Sequence, residues 1–302
     1  MNSDESRILV AGATGQVGGL VARKLLSAGI AVRALGRNRE KLAALTAMGA
    51  EAVAVDLRDR PAVVAACEGV GQIFTSVNNV MGHGESSPNR VDLLAHDALC
   101  DAARQCGVRR LVYLSGRGMG VDSPVDFFRV KLSIEACIRK SGLPYVLIQP
   151  GAFMETWAGM LMGGIRKNGV AVLFGNGRSI ANFIAVEDVA EFSVRILSQE
   201  GVHNEAIEVG GPSSVSFDEL VTLLEQRMGV RAKRRRIPLP VLWWGGLLLR
   251  PFNEVGARFM RMGYYAAASD GSFPTWKVAA DRFGISPQSI ETFVGAQLRS
   301  EE

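Results

Sequence analysis

The sequence of 302 residues predicts an α/β fold with a doubly wound parallel sheet and a smaller, irregular C-terminal lobe. Short apolar runs alternate with helix-period segments through the first 150 residues, which is typical of a parallel sheet covered on both faces. Right-handed crossovers make such a sheet doubly wound. The alternation weakens after Pro150. We therefore expect one part over residues 1–150 and a second over 151–302, built partly on the same sheet.

Each element follows from an apolar run or a periodic segment between turn residues. The predicted strands are Ile8–Ala11, Ile30–Leu35, Ala52–Val55, Gln72–Ser76, Arg110–Leu114, Tyr145–Ile148, Gly169–Phe174 and Ala206–Val209. The predicted helices are Gln16–Ala28, Asn38–Met48, Pro61–Glu68, Arg90–Cys106, Lys131–Lys140, Val186–Leu197, Phe217–Met228 and Pro287–Leu298. From Arg231 to that last helix the sequence is apolar, aromatic and without a clear period, so we expect irregular structure there.

Composition and charge exclude several classes of protein. The apolar content of 48% is ample for a large core, and the net charge of +4 is small for this length. The basic run Arg231–Arg236 is interpreted as a solvated loop or helix end rather than a nucleic-acid or membrane site. The four cysteines show neither a C-x-x-C pair nor a nearby histidine cluster, so we expect no metal site.

The location of the protein is predicted from the apolar segments and the cysteines. The run Ile237–Leu249 is too short for a bilayer, which needs roughly 20 residues. The polar start Met1–Arg7 leads into the first strand rather than forming a signal peptide. We expect a cytoplasmic monomer or homodimer with a small hydrophobic substrate and with no nucleic-acid or membrane partner.

A glycine-rich turn lies between the first strand and the first helix. In Gly12-Ala-Thr-Gly-Gln-Val-Gly18, the first glycine permits the tight turn, Gly15 lets a pyrophosphate approach, and the last lets the helix pack closely. Backbone N–H groups and the positive end of the helix dipole would meet the phosphates. The pattern predicts a Rossmann-type dinucleotide site formed by Gly12, Thr14, Gly15, Gln16, Val17 and Gly18. The alternative is an ordinary glycine-rich turn.

The end of the second strand indicates which dinucleotide binds. An NAD enzyme commonly has an acid there, whereas this chain has Arg37, whose guanidinium suits the 2′-phosphate of NADPH. Arg33 and Arg39 are either additional phosphate ligands or solvated side chains. NADPH/NADP is therefore the predicted cofactor.

The ends of the third and fourth strands complete the predicted cofactor site. Asp56, followed by Leu57, is placed either to receive the adenine amino group or to cap the next helix. At the end of the fourth strand, Ser76, Val77 and Asn78 are predicted to line the ribose of the cofactor.

Together these residues resemble the NmrA-like group of atypical short-chain dehydrogenase/reductases. The resemblance covers most of residues 7–220 and is carried by Ile8-Leu-Val-Ala-Gly-Ala-Thr-Gly-Gln-Val-Gly18, Val32-Arg-Ala-Leu-Gly-Arg37, Tyr113-Leu-Ser115, Phe128-Arg-Val-Lys131, Ser141-Gly-Leu-Pro-Tyr145, Gln149-Pro-Gly-Ala-Phe-Met154 and Phe183-Ile-Ala-Val-Glu-Asp-Val-Ala190. The family includes NADPH-dependent reductases of isoflavones, benzylic ethers and quinones. It also includes cofactor-binding regulators.

The resemblance implies two catalytic candidates. Short-chain dehydrogenases commonly place a proton-donating tyrosine four residues before lysine, but that position here is Phe127, which has no proton to give. In the similar reductases the residue matching Lys131 transfers the proton directly; the alternative is that Lys131 only hydrogen-bonds the ribose. Ser115 matches the serine that polarises a carbonyl, or is an ordinary residue at the end of a strand.

Other polar residues are weaker candidates. His83 lies in the loop Met81-Gly-His-Gly84 and is either a catalytic acid or simply exposed. Two tyrosines of the second part, Tyr264 and Tyr265, are less favoured replacements for the missing phenol. We expect structural or solvated positions for His96 and His203, and a packed position for Tyr113.

Apolar and aromatic residues indicate the substrate. Phe153, Met154 and Trp157 follow the sixth strand, where the resemblance places the start of a substrate pocket. Trp243, Trp244 and Phe252 lie in the late apolar segment. Such residues suit a hydrophobic, aromatic or polycyclic substrate, but a place in the core or in a dimer interface is an equally good interpretation.

The predicted function is hydride transfer from NADPH to a hydrophobic carbonyl, quinone or aromatic acceptor, without the usual catalytic tyrosine. The alternative is a non-catalytic NADP(H)-binding redox sensor or regulator, which the missing tyrosine favours. A third interpretation is an epimerase or dehydratase with bound NAD, which Arg37 and the missing phenol disfavour.

Overall fold

The computed structural model describes residues 7–299, so the expectation for the polar start Met1–Arg7 lies, except for Arg7, outside the described residues. Twelve strands, twelve α-helices and a short 3₁₀ helix at Gly84–Ser86 are described. The strands are β1 Ile8–Ala11, β2 Val32–Gly36, β3 Glu51–Ala54, β4 Gln72–Thr75, β5 Arg110–Leu114, β6 Tyr145–Pro150, β7 Ala152–Phe153, β8 Val170–Phe174, β9 Ile180–Ile184, β10 Glu205–Val209, β11 Ser213–Ser216 and β12 Lys233–Ile237.

The helices alternate with these strands in the first half of the chain and dominate its end. They are α1 Gln16–Ser27, α2 Arg39–Ala47, α3 Arg60–Cys67, α4 Pro88–Gln105, α5 Asp126–Lys140, α6 Met154–Asn168, α7 Val186–Ser198, α8 Phe217–Met228, α9 Leu239–Leu248, α10 Glu254–Ala268, α11 Lys277–Phe283 and α12 Ile290–Arg299. The predicted elements are present, with bounds that match or are shifted by at most five residues.

The main sheet has seven strands in the order β10-β6-β5-β4-β1-β2-β3. β1 pairs in parallel with β2 on one side and with β4 on the other, so Ala11 lies beside both Leu35 and Thr75. The strand order therefore reverses at β1, and ligands of doubly wound sheets bind at the carboxyl ends of the strands beside such a reversal. The predicted fold class is confirmed.

The chain forms two compact units, which are described separately. Unit 1 consists of the described residues up to Val121, Phe127–Gln149 and Val189–Ile207. Its core lies between the sheet and helices α3, α4 and α5, with fully buried side chains such as Leu9, Ile73 and Leu99. The predicted division at residue 150 puts Val189–Ile207 in the second part, whereas in the structure these residues belong to unit 1.

Unit 2 consists of Asp122–Asp126, Pro150–Asp188 and the described residues from Glu208 onward. It contains a three-stranded sheet in the order β11-β9-β7 and the parallel pair β12-β8. A second core joins α6, α8 and α12 around Phe183 and Leu220. The expectation of irregular structure after Arg231 is wrong, because β12, α9, α10 and α11 occupy that stretch.

One helix boundary changes the position of a candidate residue. Helix α5 begins at Asp126, so Lys131 lies in its second turn and not at its head as the sequence predicts. Phe127, Val130 and Ile134 are buried at helical spacing, so the apolar face of α5 starts before Lys131.

Candidate active site

The turn after β1 accepts only glycine at two of its positions. Gly12 has a φ of +85°, and a Cβ there would lie 3.0 Å from Ser76 Oγ. A Cβ on Gly18 would lie 2.8 Å from both the Gly12 carbonyl carbon and Ser76 Oγ. Real Cβ atoms do not approach heavy atoms so closely, so the start of α1 can pack against the turn only without side chains here.

The turn leaves the N-terminus of α1 open. Thr14, Gly15 and Gln16 are exposed, and no side chain of the described chain caps the helix. The first turn of α1 contains no acidic residue that would occupy the positive end of the helix. Val17 is buried, so only its backbone is available to a ligand. The exposed, uncapped N-terminus of α1 fits the pyrophosphate of a dinucleotide.

The three arginines around β2 have different surroundings. Arg37 is exposed directly after the strand. Arg33 is buried, and its guanidinium donates to the carbonyl oxygens of Ala66 at 2.8 Å and Glu68 at 2.7 Å. The interpretation of Arg33 as a phosphate ligand or a solvated residue is therefore wrong. Arg39 is exposed at the start of α2, so Arg37 and Arg39 are the cations available to a 2′-phosphate.

The carboxylate of Asp56 is held by an arginine two residues later. The Arg58 side chain donates to Asp56 at 2.6–3.1 Å, and these hydrogen bonds lower the pKa of Asp56 to about 2. The nearby charge of Arg37 acts in the same direction. Asp59 caps α3 by accepting from Ala62 N–H, so the capping alternative for Asp56 is wrong.

The chain after β4 runs along the glycine turn. Ser76 N–H donates to Ala11 O at 3.1 Å, which continues the sheet beside β1. Leu57 and Val77 both pack against the core of unit 1. Asn78 is exposed, and its amide donates to Ser76 O at 3.3 Å. Ser76 thus lies next to the glycine turn, and Asn78 is held to Ser76; these are the residues that the sequence predicts along the ribose of the cofactor.

Lys131 is almost completely enclosed in unit 1. Its side chain is 8% exposed, and Nζ donates to Leu114 O at 2.9 Å. Nζ also lies 5.1 Å from the ring centre of Tyr113 and 5.3 Å from that of Phe127. Burial lowers the pKa of Lys131 to about 8, and the negative charges of two buried acids oppose this shift. A lysine with this pKa can release a proton near neutral pH.

Ser115 forms a hydrogen bond that the sequence does not predict. Its hydroxyl donates to Glu135 Oε1 at 2.5 Å, and both side chains are buried. Glu135 also accepts from Gln149 Nε2 at 2.8 Å and from Arg139 Nη1 at 3.0 Å. A hydroxyl has one proton to donate, so Ser115 can polarise a carbonyl only when its bond to Glu135 is broken.

His96 lies in a second cluster of buried polar residues, together with Thr75 and Asp92. The ring donates from Nδ1 to Asp92 O at 2.7 Å, so in the neutral ring Nε2 accepts from Thr75 Oγ1 at 3.1 Å. Burial lowers the pKa of His96 to about 4, so the ring is neutral and structural, as predicted. Tyr113 packs against it edge-on at 4.9 Å, and the Tyr113 hydroxyl has no hydrogen-bond partner among the described residues. His83 and His203 are exposed.

Sequence reasoning missed the two buried acids of unit 1. Asp92 on α4 and Glu135 on α5 are each at most 2% exposed. The negative charge of each raises the pKa of Lys131. The sequence signal that could have found them is an acidic residue on the apolar face of an amphipathic helix. Charged residues are rarely buried at such a position without a partner.

The predicted substrate residues lie in unit 2 and differ in exposure. Met154 is fully buried in the core of this unit and offers no surface to a substrate. Trp157 is partly exposed and packs edge-on against Phe217 at 5.0 Å and Phe174 at 6.2 Å. Phe153 is also partly exposed, at the end of β7. Of the three, the two aromatic residues can contact a ligand.

The late aromatic residues lie in unit 2, on helices α9 and α10 and, for Phe252, in the turn between them. Trp243, Trp244 and Phe252 are all exposed. Tyr264 packs against Trp243 with the ring centres 5.1 Å apart and the rings tilted by 57°. The alternative that these residues belong to the core is therefore wrong for Trp244 and Phe252.

Comparison with known proteins identifies the family. The sequence profile of the NmrA-like family matches residues 4–253. The chain belongs to the NmrA-like family. Its relatives within this family include an NAD(P)H azoreductase of Xenophilus azovorans, 33% identical over 223 residues, which are 74% of each chain. A photosystem II assembly factor Ycf39 of Cyanophora paradoxa is 28% identical over 78% of this chain and 73% of its own.

A solved structure agrees with the fold of this NmrA-like protein. The NADPH-dependent quinone oxidoreductase of Escherichia coli, complexed with NADPH, superposes with a TM-score of 0.80 at 22% identity. The match covers 96% of this chain and 99% of that one. At this identity the likeness shows the shared fold. Within residues 7–299, no helix is long and apolar enough to cross a membrane.

Proposed function

We propose that the protein is an NADPH-dependent reductase that transfers a hydride to a hydrophobic carbonyl, quinone or aromatic acceptor. The observation that carries the proposal is the open glycine turn beside the exposed Arg37, with no acid at the end of β2. This combination fits a dinucleotide with a 2′-phosphate. The related azoreductase, by its name, uses NAD(P)H.

The chain's own residues bind and orient the cofactor. Gly12 and Gly18 let backbone N–H groups approach the pyrophosphate, while Arg37 pairs with the 2′-phosphate. Ser76 and Asn78 lie next to this turn and contact the ribose. When bound, NADPH supplies a hydride.

Lys131 moves the proton that follows hydride transfer. The pKa of about 8 leaves its amine mostly protonated at neutral pH and still able to give the proton away. To act, Nζ has to turn from Leu114 O toward the acceptor. Ser115 holds Glu135 in place rather than polarising a carbonyl, as long as their hydrogen bond persists. Water or a hydroxyl of the substrate is the alternative proton source.

The acceptor is an aromatic or polycyclic molecule. Phe153 and Trp157 of unit 2 expose aromatic surface after β6, and flat aromatic acceptors gain from stacking on such rings. Azo compounds and quinones belong to this chemical class, and the names of two similar proteins specify reductases of this kind.

The burial of both catalytic candidates favours a second function. Lys131 and Ser115 are enclosed and hydrogen-bonded within unit 1, as in a purely structural polar core. A non-catalytic NADP(H)-binding redox sensor needs no proton transfer. Some relatives are, by name, assembly factors rather than reductases.

One experiment separates the two functions. NADPH binding to the purified protein is measured by the change in cofactor fluorescence, and NADPH oxidation by the loss of its absorbance with quinones, azo dyes and aromatic ketones. Turnover with any acceptor establishes the reductase. Tight binding with no oxidation across the panel assigns the sensor, and absence of binding refutes both.

A further inference from the structure

Helix α9 lacks the polar face that a surface helix normally has. Residues 237–249 contain no charged side chain, and Leu242 and Gly246 are the buried residues of the helix. Most of its circumference therefore presents apolar side chains outward. A helix that is apolar all round is normally buried in a core or in a lipid phase.

The exposed apolar surface continues from α9 into the turn before α10. We call it the α9–α10 patch, and it consists of Trp243, Trp244, Leu247, Leu248, Leu249 and Phe252. Phe252 is 89% exposed, Leu248 68% and Trp244 58%. Single exposed apolar residues are common on soluble proteins, but a contiguous group of this kind marks an interaction site.

The sequence around the patch is strongly basic. Between residues 229 and 263 there are eight arginines and lysines and one acid, Glu254. Arg234 and Arg236 form ion pairs with Asp218 on α8. Lys233, Arg235 and Arg250 are exposed instead, the first two before α9 and the third after it. Cations thus flank both ends of the apolar helix.

We infer that the α9–α10 patch docks on the surface of an anionic lipid bilayer. Helix α9 has 10 residues and is about 15 Å long, so it lies in the plane of the interface rather than across it. In this position Leu248 and Phe252 enter the acyl boundary, and Trp244 lies at the level of the headgroups. Arg250 and Arg235 pair with lipid phosphates.

The charge distribution favours a bilayer over a second copy of this chain. A two-fold contact through the patch would bring the same surface of both copies together. The flanking cations of one copy would then face those of the other, and such like charges oppose association. An anionic membrane instead offers opposite charge to the cations and an apolar phase to the side chains between them.

The patch is fixed by contacts between α9 and α10. The Arg261 guanidinium lies 4.0 Å above the Trp243 ring, and Tyr264 packs on the same indole. The helix pair is therefore ordered before any membrane contact, so docking does not have to fold it. The inference is independent of the reductase activity. It departs from the sequence-based expectation of no membrane partner, because that expectation took no account of which apolar and basic side chains are exposed.

The test is flotation of the full chain with lipid vesicles, without NADPH or acceptor. Vesicles of phosphatidylcholine alone are compared with vesicles that also contain phosphatidylglycerol. We expect flotation with the anionic vesicles that weakens as salt rises. The double variant Leu248→Ser, Phe252→Ser should reduce the partition coefficient by about tenfold or more. The matched control is Val278→Ser, which changes an aliphatic residue that is 68% exposed on α11 and should leave partition unchanged.

Circular dichroism confirms that each variant is folded, so a loss of flotation is not a loss of structure. Arg250→Glu should weaken flotation with anionic vesicles and leave any weak binding to phosphatidylcholine unchanged. If the folded wild-type protein does not float, or if the double variant floats equally well, the inference is wrong. A wild-type dimer that the double variant dissociates, without vesicle binding, would instead assign the patch to a second copy.

Discussion

The Ser115 hydroxyl donates to Glu135 at 2.5 Å, although the two residues are 20 positions apart in the chain. Ser115 follows β5 and Glu135 lies on α5, four residues after Lys131. One buried carboxylate therefore holds the serine and also stabilises the positive charge of the lysine. This arrangement gives Glu135 a measurable influence on both catalytic candidates.

The first prediction concerns Glu135→Gln. The carboxylate raises the pKa of Lys131 against the effect of burial, so its neutralisation should lower that pKa below about 8. Activity that requires protonated Lys131 should then be lost at a lower pH than in the wild type. The measurement is the pH dependence of kcat for both proteins. Glu291→Gln, an exposed change on α12, is the control, and an unchanged profile in Glu135→Gln would contradict the coupling.

The second prediction concerns the proton donor. In the wild type, kcat should fall as the pH rises through about 8, where Lys131 loses its proton. Lys131→Met keeps an unbranched side chain that is one atom shorter and has no proton to give, so kcat should fall by about 10²–10⁴. The Kd for NADPH, from fluorescence, should change much less. Wild-type kcat in this variant would show that water or the substrate supplies the proton.

The third prediction concerns cofactor choice. Arg37→Ala removes the cation after β2. It should weaken NADPH binding by about tenfold to a hundredfold, because this is the usual contribution of a hydrogen bond to a charged group. NADH has no 2′-phosphate, so its affinity should be nearly unchanged. Titration of both cofactors into both proteins measures the ratio. Arg39→Ala, at the other exposed arginine, is measured for comparison, and a larger effect there would move the phosphate site to α2.

The fourth prediction concerns the glycine turn. Gly18→Ala puts a Cβ 2.8 Å from the Gly12 carbonyl carbon, so α1 must move away from the turn. The free energy of unfolding should fall by about 1–3 kcal/mol, and NADPH binding should weaken as well. Gly163→Ala on α6 meets no atom within 4 Å and should stabilise the protein by up to about 1 kcal/mol. Thermal melting of both variants is the measurement. Equal melting temperatures would show that the turn tolerates a side chain.

Some elements follow from local sequence, and others do not. Strands β1 and β5 and helix α8 have the predicted bounds, because an apolar run or an amphipathic period between turn residues is a local signal. Strand β12 consists mainly of consecutive cations, which no periodicity assigns to a sheet. It forms because β8 supplies the backbone partner and Asp218 and Glu225 on α8 neutralise Arg234 and Arg236.

The candidate site divides in the same way. The glycine turn and Arg37 are readable from sequence because they act through backbone geometry and position at strand ends. The buried position of Arg33 cannot be read from the sequence, since its hydrogen-bond partners Ala66 and Glu68 are more than 30 residues away in the chain. The sequence likewise shows that Phe127 replaces a tyrosine, but not that Lys131 is buried beside it.

The sequence by itself determined the alternation of the sheet, the glycine turn and the family. It determined them because each depends on residues that are neighbours in the chain or follow a fixed period. Only the tertiary structure decided that Glu135 binds Ser115, that burial lowers the pKa of Lys131, and that α9 leaves its apolar side chains outside. These properties depend on what surrounds a side chain in space, and desolvation and charge pairing are set by that environment alone.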